Sequence, residues 1–396
     1  MSAPDFGFTP SGNIFKKREA LLEEWTPNVL VGRDDELRRY HNALQPVIEG
    51  ETPSNIFLYG RSGVGKTAAT RFLFNQLKTD AEQIDGLDLT TIEINCDGLN
   101  TSYQTAVAIV NALREPENQI SNTGYPQASV YEFMFEALDD VGGTVLIVLD
   151  EVDHIEDDSI LYKLPRARSN GDVSNARLGV IGISNDLRFR EQLSSKVRSS
   201  LCEKELSFSA YNANELSEVL EQRVSVAFHD DAIHSSVTPK CAAHGAKDSG
   251  DARQALDLLL ESGDVARERD ADQVLQKHVD IALERLQKDR IVDGISKTSD
   301  HAQLTLLALT NLKKQDLTPA RTRAVKEAYD QICEQEGFDP ITLRSVRDHL
   351  SEFATLGIVS STEINQGESG GKYKEHELQQ PEHIVRAGVS EIVQAP

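Results

Sequence analysis

Gly60, Gly65, Lys66 and Thr67 occupy the fixed positions of the pattern G-x-x-x-x-G-K-[ST], inside the stretch NIFLYGRSGVGKTAATR, residues 55–71. A glycine-rich loop of this kind folds tightly enough to turn successive backbone N–H groups toward a phosphate. The four residues before it, Ile56 to Tyr59, read as a short buried strand, and Ala68, Ala69, Arg71, Phe72 and Leu73 read as a helix. The N-terminal dipole of that helix favours an anion at the same place. Strand, loop and helix together make a P-loop. The expected phosphate contacts are Gly60, Gly63, Val64, Gly65, Lys66, Thr67 and Ala68. Lys66 is expected to reach the β- and γ-phosphates, and the Thr67 hydroxyl to hold Mg²⁺.

Two further groups have the right chemistry for such a site. The run Thr144 to Leu149 is continuously apolar and ends in Asp150 and Glu151. Ligands bind at the carboxyl ends of strands in open α/β sheets, so acids here sit where a metal ion and an attacking water would be held. Asp150 is expected to hold Mg²⁺ through water and Glu151 to orient the water. Phosphoryl transfer asks a protein for such positioning of charge and little else. Asn185 ends another apolar run, Leu178 to Ser184. Its amide is placed to hold a water beside the γ-phosphate.

The elements that must position these residues can be traced in order. Residues 1–25 are irregular, with Pro4, Gly7, Pro10 and Gly12, and read as a partly ordered arm. A helix from Glu36 to Ile48 precedes the P-loop. Leu89 to Asn95 alternates like a strand, and Thr101 to Leu113 and Tyr131 to Leu138 have helical period, separated by a turn-rich insertion. Alternating strands and helices indicate a doubly wound α/β domain over residues 26–208. After about residue 210 the pattern is helical only, at Ala213–Phe228, Asp251–Glu261 and Ala271–Gln287, giving a second domain over 209–292. The last unit, 293–396, has helices at His301–Leu312, from a Thr318-Pro319 start to Glu336, and Leu343–Leu356 capped by Thr342. Two strands follow, Ile358–Ile364 and Lys372–Leu378, around a turn at 366–371. Three helices and a hairpin make a winged helix-turn-helix. With Leu343, Val346, Leu350 and Phe353 inward, Thr342, Arg344, Ser345, Arg347 and Asp348 face outward, on the helix that enters the major groove in such motifs. Lys372, Tyr373 and Lys374 lie near the wing tip, suited to phosphate or minor-groove contact.

Composition bounds the setting. No apolar run is long enough to span a bilayer and no signal-peptide pattern opens the chain, so a cytoplasmic, nucleoid-associated protein without a membrane partner is expected. The four cysteines, Cys96, Cys202, Cys241 and Cys333, form no C-x-x-C pair, which argues against zinc and disulfide frameworks. Asp and Glu number 64 against 41 Lys and Arg, a net charge of −23. Such a chain repels nucleic acid at ordinary ionic strength. Its acidity is spread over the whole length, as suits a salty cytoplasm, where molar salt shortens the Debye length to about 3 Å. Residues 293–396 carry 11 basic and 16 acidic residues, and the remainder 30 and 48, so the last unit is the less acidic per residue but is not basic.

P-loop, Asp-Glu strand, polar strand end and helical domain together resemble the AAA+ ATPases. Within them the chain is similar to the archaeal initiator family related to the origin recognition complex and its cell-division-cycle partner. The similar stretches are PSNIFLYGRSGVGKTAATRF, VLIVLDEVDHI followed by SILYKLPRA, GVIGISNDLRFREQLSSKVRSSL, LSFSAYNANELSEVLEQR and SGDARQALDLL, in family order over nearly the whole chain. The resemblance implies ATP or ADP held between the sheet and a lid formed by the second domain. It implies that Val31, Gly32 and Arg33 lie along adenine, that Asn185 is sensor 1, and that Arg253 is the sensor 2 arginine reaching the γ-phosphate. Tyr211 and Arg223 would border the nucleotide at the opening of the lid. The arginine-finger box departs from the family: Lys196 and Arg198 stand in exchanged places around Val197, so either can be the trans-acting cation, Arg198 being the expected one. The segment Asn111–Tyr131 falls where the family carries an extra DNA-touching helix, although Arg114 is its only basic residue.

The resemblance therefore implies an ATP-dependent replication initiator that binds double-stranded origin DNA and helps recruit or load the replicative helicase, alongside copies of itself or paralogues. Weak hydrolysis is expected, with ATP acting as a switch. Two alternatives stay open: an AAA+ motor or clamp-loader-type ATPase, and a regulatory relative that has lost origin recognition.

Overall fold

The computed structural model describes residues 14–27, 29–248, 250–365 and 372–393. The chain divides into two compact units, residues 1–279 and 280–396.

The first unit is built on a five-stranded parallel sheet in the order β2-β3-β4-β1-β5. Its elements run α1 (Asp34–Ile48), β1 (Ile56–Tyr59), α2 (Lys66–Ala81), β2 (Leu89–Asn95), α3 (Ser102–Leu113), α4 (Gln127–Val141), β3 (Thr144–Asp150), α5 (Ser159–Asn170), β4 (Arg177–Ser184), α6 (Phe189–Gln192), α7 (Ser195–Leu201) and β5 (Lys204–Ser207). Strands buried on both faces read as unbroken apolar runs, and β3 shows why. Val145, Ile147 and Leu149 pack into one core with α3, α4 and α5 residues such as Val107, Met134 and Leu161. Leu146 and Val148 pack into the other, with Tyr40, Leu44, Phe74 and Leu77 of α1 and α2. Only Asp150 at its end escapes full burial. Chain order places β1 beside β4 while β2 and β3 lie beyond β4, so the strand order reverses next to the P-loop, the place where open α/β sheets bind ligands.

The helical part of this unit is α8 (Ala213–Ala227), α9 (Val237–Asp248) and α10 (Ala252–Glu268). Asn212 and Glu215 close a capping box at the start of α8, and Asp251 caps α10 by accepting from the amides of Arg253 and Gln254. From Ile14 on, the arm is more structured than its sequence suggests. Ile14, Ala20 and Leu21 are buried, and the Phe15 ring lies 4.9 Å from that of Phe228. The amides of Lys16 and Lys17 both bond the Ala227 carbonyl at the end of α8. The segment anchors through backbone bonds, which leave no periodic signature in the sequence.

Helix α11 (Gln276–Ser296) crosses both the 279/280 division and the expected 292/293 boundary. The second unit continues with α12 (Asp300–Lys314), β6 (Ala320–Arg321), α13 (Thr322–Glu336), α14 (Leu343–Thr355), β7 (Val359–Asn365), β8 (Lys372–Leu378) and α15 (Glu382–Val393). Its sheet is antiparallel in the order β6-β8-β7. Thr318-Pro319 does not open α13. Ala320 and Arg321 first pair with His376 and Glu375 of β8, and the helix starts at Thr322 with Arg321 as its N-cap. The expected wing turn at 366–371 lies outside the described residues. His376 is fully enclosed between the Thr322 hydroxyl (Nε2, 2.9 Å) and the Ser361 hydroxyl (Nδ1, 2.8 Å). Burial, with Lys374 and Arg347 nearby, pushes its pKa down to about 4, so it is neutral at pH 7 and ties α13 to both wing strands.

Candidate nucleotide site and winged-helix surface

The P-loop places Gly63 at φ +70° and Gly65 at φ +90°, left-handed conformations that side chains resist. α2 begins directly at Lys66. The Lys66 side chain is 4% exposed, and its ammonium donates to the carbonyls of Gly60 (2.9 Å) and Arg61 (2.8 Å) and to Asn185 Oδ1 (2.8 Å). Burial lowers its pKa to about 8, against the opposing charges of Asp150, Asp153 and Glu151. The Thr67 hydroxyl donates to Asp150 Oδ2 at 2.7 Å, bringing together the two oxygens expected at Mg²⁺. Asn185 in turn donates through Nδ2 to Glu151 Oε1 at 3.1 Å, while its backbone amide bonds Asp153. Glu151 sits at φ +55°, a turn that carries it off the end of β3.

These groups border one cavity of about 360 Å³, a volume within the range of small-ligand sites. Val31, Gly63, Gly65, Lys66, Thr67, Ala68, Asp150, Glu151, Asn185, Tyr211, Arg223 and Arg253 all line it. Gly32, Arg33, Gly60 and Val64 do not. Val64 has its side chain in the core beside α1 and α2, so its backbone amide is what it can present to a phosphate. Arg33, expected along adenine, is held outside the cavity lining by its own partners. It is 1% exposed, bonded to Glu36 (3.0 Å) and the Ser209 carbonyl (2.7 Å), with its guanidinium 3.6 Å from the centre of the Tyr211 ring. It therefore acts behind Tyr211, a stack that holds the phenol over Gly65. A Cβ built on Gly65 would lie 3.0 Å from the Tyr211 hydroxyl.

The lid reaches the P-loop directly. The Ala252 amide donates to the Gly63 carbonyl at 3.0 Å, and a Cβ on Gly63 would fall 1.6 Å from Asp251 Oδ1. Arg253, the next residue, leans into the cavity and pairs with Glu23. Arg223 is buried, donates to the carbonyls of Ala20 (3.0 Å) and Trp25 (3.2 Å), and stacks 4.2 Å over the Trp25 ring. Burial pushes its pKa down to about 10. Its bonds hold the N-terminal segment against the lid, which brings Leu21, Leu22, Glu23 and Trp25 to the cavity wall. Sequence reasoning missed these four. Their one signal is that Trp25 is the only tryptophan of the chain, set in an otherwise irregular stretch.

Arg198 and Lys196 lie on α7 outside the cavity, with Lys196 exposed and Arg198 half-buried. Neither lines the cavity of its own chain. The segment at 111–131 contains a short 3-10 turn, Pro116–Asn118, and the first turn of α4, with Tyr125 exposed and edge-on to Phe133.

In the second unit Val346, Leu350 and Phe353 of α14 are fully buried and Leu343 half-buried. Arg344 and Arg347 are exposed, as is Thr342, whose hydroxyl caps the helix by accepting the Ser345 amide at 3.2 Å. At the wing, Lys372 pairs with Glu363 across the strands (3.4 Å), Lys374 is half-buried, and the Tyr373 ring carries the Arg321 guanidinium 4.0 Å above it. Arg321 is a wing cation that the sequence pattern did not single out.

Three family models match the chain: an AAA domain over residues 48–192, a Cdc6 AAA+ ATPase-type lid domain over 217–284, and a Cdc6 C-terminal winged helix domain over 293–387. The chain is 51% identical to the ORC1-type DNA replication protein 11 of Haloarcula marismortui, over 98% of this chain and 93% of that one. It is 48% identical to the ORC1-type DNA replication protein 10 of Halobacterium salinarum, over 94% and 91%. Among solved structures it is similar to the Aeropyrum pernix ORC1 protein in complex with DNA, at TM-score 0.82 and 35% identity, over 96% of this chain and 97% of that one. With AAA domain, Cdc6-type lid and winged helix in one order, and with this identity over nearly its whole length, the chain belongs to the ORC1/Cdc6 family of DNA replication initiators.

Proposed function

We propose that this chain is an ATP-switched initiator that binds double-stranded origin DNA and, in its ATP state, recruits the replicative helicase. The observation that carries the reading is the cavity lined in common by Lys66 at the start of α2, Asn185 after β4 and Arg253 of the lid. A γ-phosphate there would bridge the two parts, so the nucleotide governs how they close. The residues present fit ATP and Mg²⁺. Gly63, Gly65 and the start of α2 form an anion cradle, and Lys66 is a buried ammonium with carbonyl and amide oxygens around it. The pair Thr67–Asp150 offers two hard oxygen ligands. Bound Mg²⁺ would neutralise phosphate charge. Glu151, held by Asn185, would orient the attacking water. Arg198, or Lys196, would act on the site of a neighbouring copy. With Lys196 in that role hydrolysis would be slow or absent, because lysine lacks the planar fork that holds a transferring phosphoryl group.

DNA binding is supported by the likeness to the DNA-bound Aeropyrum protein and by Arg344 and Arg347 exposed on α14. The test is footprinting on genomic DNA at molar salt. The wild type with ATP should protect preferred sites, and Lys66→Ala should lose ATP binding and the ATP dependence of the footprint while staying folded. Arg344→Ala/Arg347→Ala should weaken site preference by ten-fold or more, each lost base contact costing about 1–3 kcal/mol. A double variant that footprints like the wild type would remove α14 from recognition. Absence of any preferred site would mark a relative without origin recognition.

A further inference from the structure

Glu23 and Arg253 come from opposite ends of the first unit and meet inside the cavity wall. Both are anchored before they meet. Arg253 follows Asp251 and Ala252, which are seated on Gly63 of the P-loop. Glu23 lies between Ala20 and Trp25, whose carbonyls are both gripped by the buried Arg223. Two anchored backbones therefore bring the pair together, while the side chains themselves lie at the surface of the cavity mouth. Each partner remains partly exposed, 44% for Arg253 and 58% for Glu23, so the pair is exchangeable.

We propose that Glu23 sets the discrimination between ATP and ADP by competing with the γ-phosphate for Arg253. This rests on the reading of the cavity as an ATP site. With ADP, Arg253 keeps its carboxylate partner and loses nothing. With ATP, the guanidinium either leaves Glu23 or shares it. Leaving strips the carboxylate of its partner, and sharing splits one guanidinium between two anions and draws the carboxylate toward a terminal phosphate of the same sign. Either course costs the triphosphate alone. Glu23 thereby keeps the ATP state from being too readily populated, and makes lid engagement by Arg253 conditional on a group that outbids a carboxylate.

Equilibrium binding of Mg-ATP and Mg-ADP to the full chain tests this, in wild type, Glu23→Gln, Arg253→Gln and the double variant. Glu23→Gln should tighten ATP about two- to fivefold, the size expected for a partly exposed pair, and leave ADP unchanged. In the Arg253→Gln background the same change should have no effect on either nucleotide, which closes a double-mutant cycle. Equal shifts for ATP and ADP, or an ATP gain that survives removal of Arg253, would overturn the role of Glu23 and leave the ATP site standing. A wild type that binds neither nucleotide would overturn the site itself.

Discussion

Lys66 brings a charge into a place that disfavours it. Its ammonium is almost wholly enclosed, and burial brings its pKa from 10.5 down to about 8. The folded state therefore sheds this proton before the unfolded chain does. Between about pH 8 and 10.5 the unfolded chain holds the extra proton, so this group's penalty on stability, full below pH 8, is relieved as pH rises. Phosphate binding works the other way, because it needs the ammonium. Above pH 8, ATP binding should take up about one proton, and affinity should fall by up to about tenfold per pH unit. Titration calorimetry in two buffers of different ionisation enthalpy checks this: no net uptake at pH 7, uptake near one proton at pH 9. Equal heats in both buffers at pH 9 would disprove the depressed pKa. At this scale the sequence was informative where a motif fixes chemistry, as at Lys66, Thr67, Asp150 and Asn185, which the structure brings within bonding distance. It was silent on Glu23 and Trp25, whose positions depend on the Arg223 grip across about 200 residues of chain. Arg33 was singled out as a nucleotide contact, whereas the structure shows it outside the cavity lining and stacked on Tyr211.

Elements were readable where burial is periodic or complete. β1 and β2 carry the expected bounds and β3 ends one residue earlier, at Asp150, because each is an apolar or alternating run with polar ends. β5 was not separable from the loop before the lid. It is a four-residue edge strand, Lys204–Ser207, with one fully buried side chain, and pairing with β1 defines it more than its own pattern does. The same holds for β6, a two-residue strand that exists through β8 and displaces the start of α13. The most consequential contact between elements is the seat of α10 on the P-loop. Gly63→Ala meets both a left-handed φ and the Asp251 carboxylate, so the lid must shift away. It should cost about 1–3 kcal/mol in stability and weaken nucleotide binding at least tenfold. A control at Gly86, also left-handed but with open space around its Cβ, should cost stability and leave binding alone. Thermal unfolding and ATP titration of the two variants separate strain from lost lid contact. Equal binding losses would refute the seat.

For the whole molecule the excess of acid is the governing quantity. A net charge of −23 is spread over both units, and the relatives with half their residues in common come from Haloarcula and Halobacterium. At 0.1 M salt the Debye length is about 10 Å and neighbouring carboxylates repel across it; at 1 M it is about 3 Å and they do not. Two consequences can be measured together. The thermal midpoint should rise by several degrees from 0.1 to 2 M KCl. DNA affinity should fall less steeply with salt than for a basic binder, or rise, since screening relieves repulsion as well as attraction. A steep fall with salt would mean that the positive residues of α14 and the wing dominate the field after all.

The Arg223 grip also bears on time. Backbone bonds from Lys16 and Lys17 to Ala227, the Arg18–Asp264 pair at 2.7 Å and the Arg223 bonds to Ala20 and Trp25 bind the N-terminal segment and the lid into one piece. That piece supplies part of the cavity wall, through Leu21, Leu22 and Trp25 together with Tyr211 and Arg253. A nucleotide bound there would touch both the segment and the lid. Its release is expected to follow the joint movement of both, so that exchange would be timed in part by bonds lying away from the cavity, such as Arg18–Asp264.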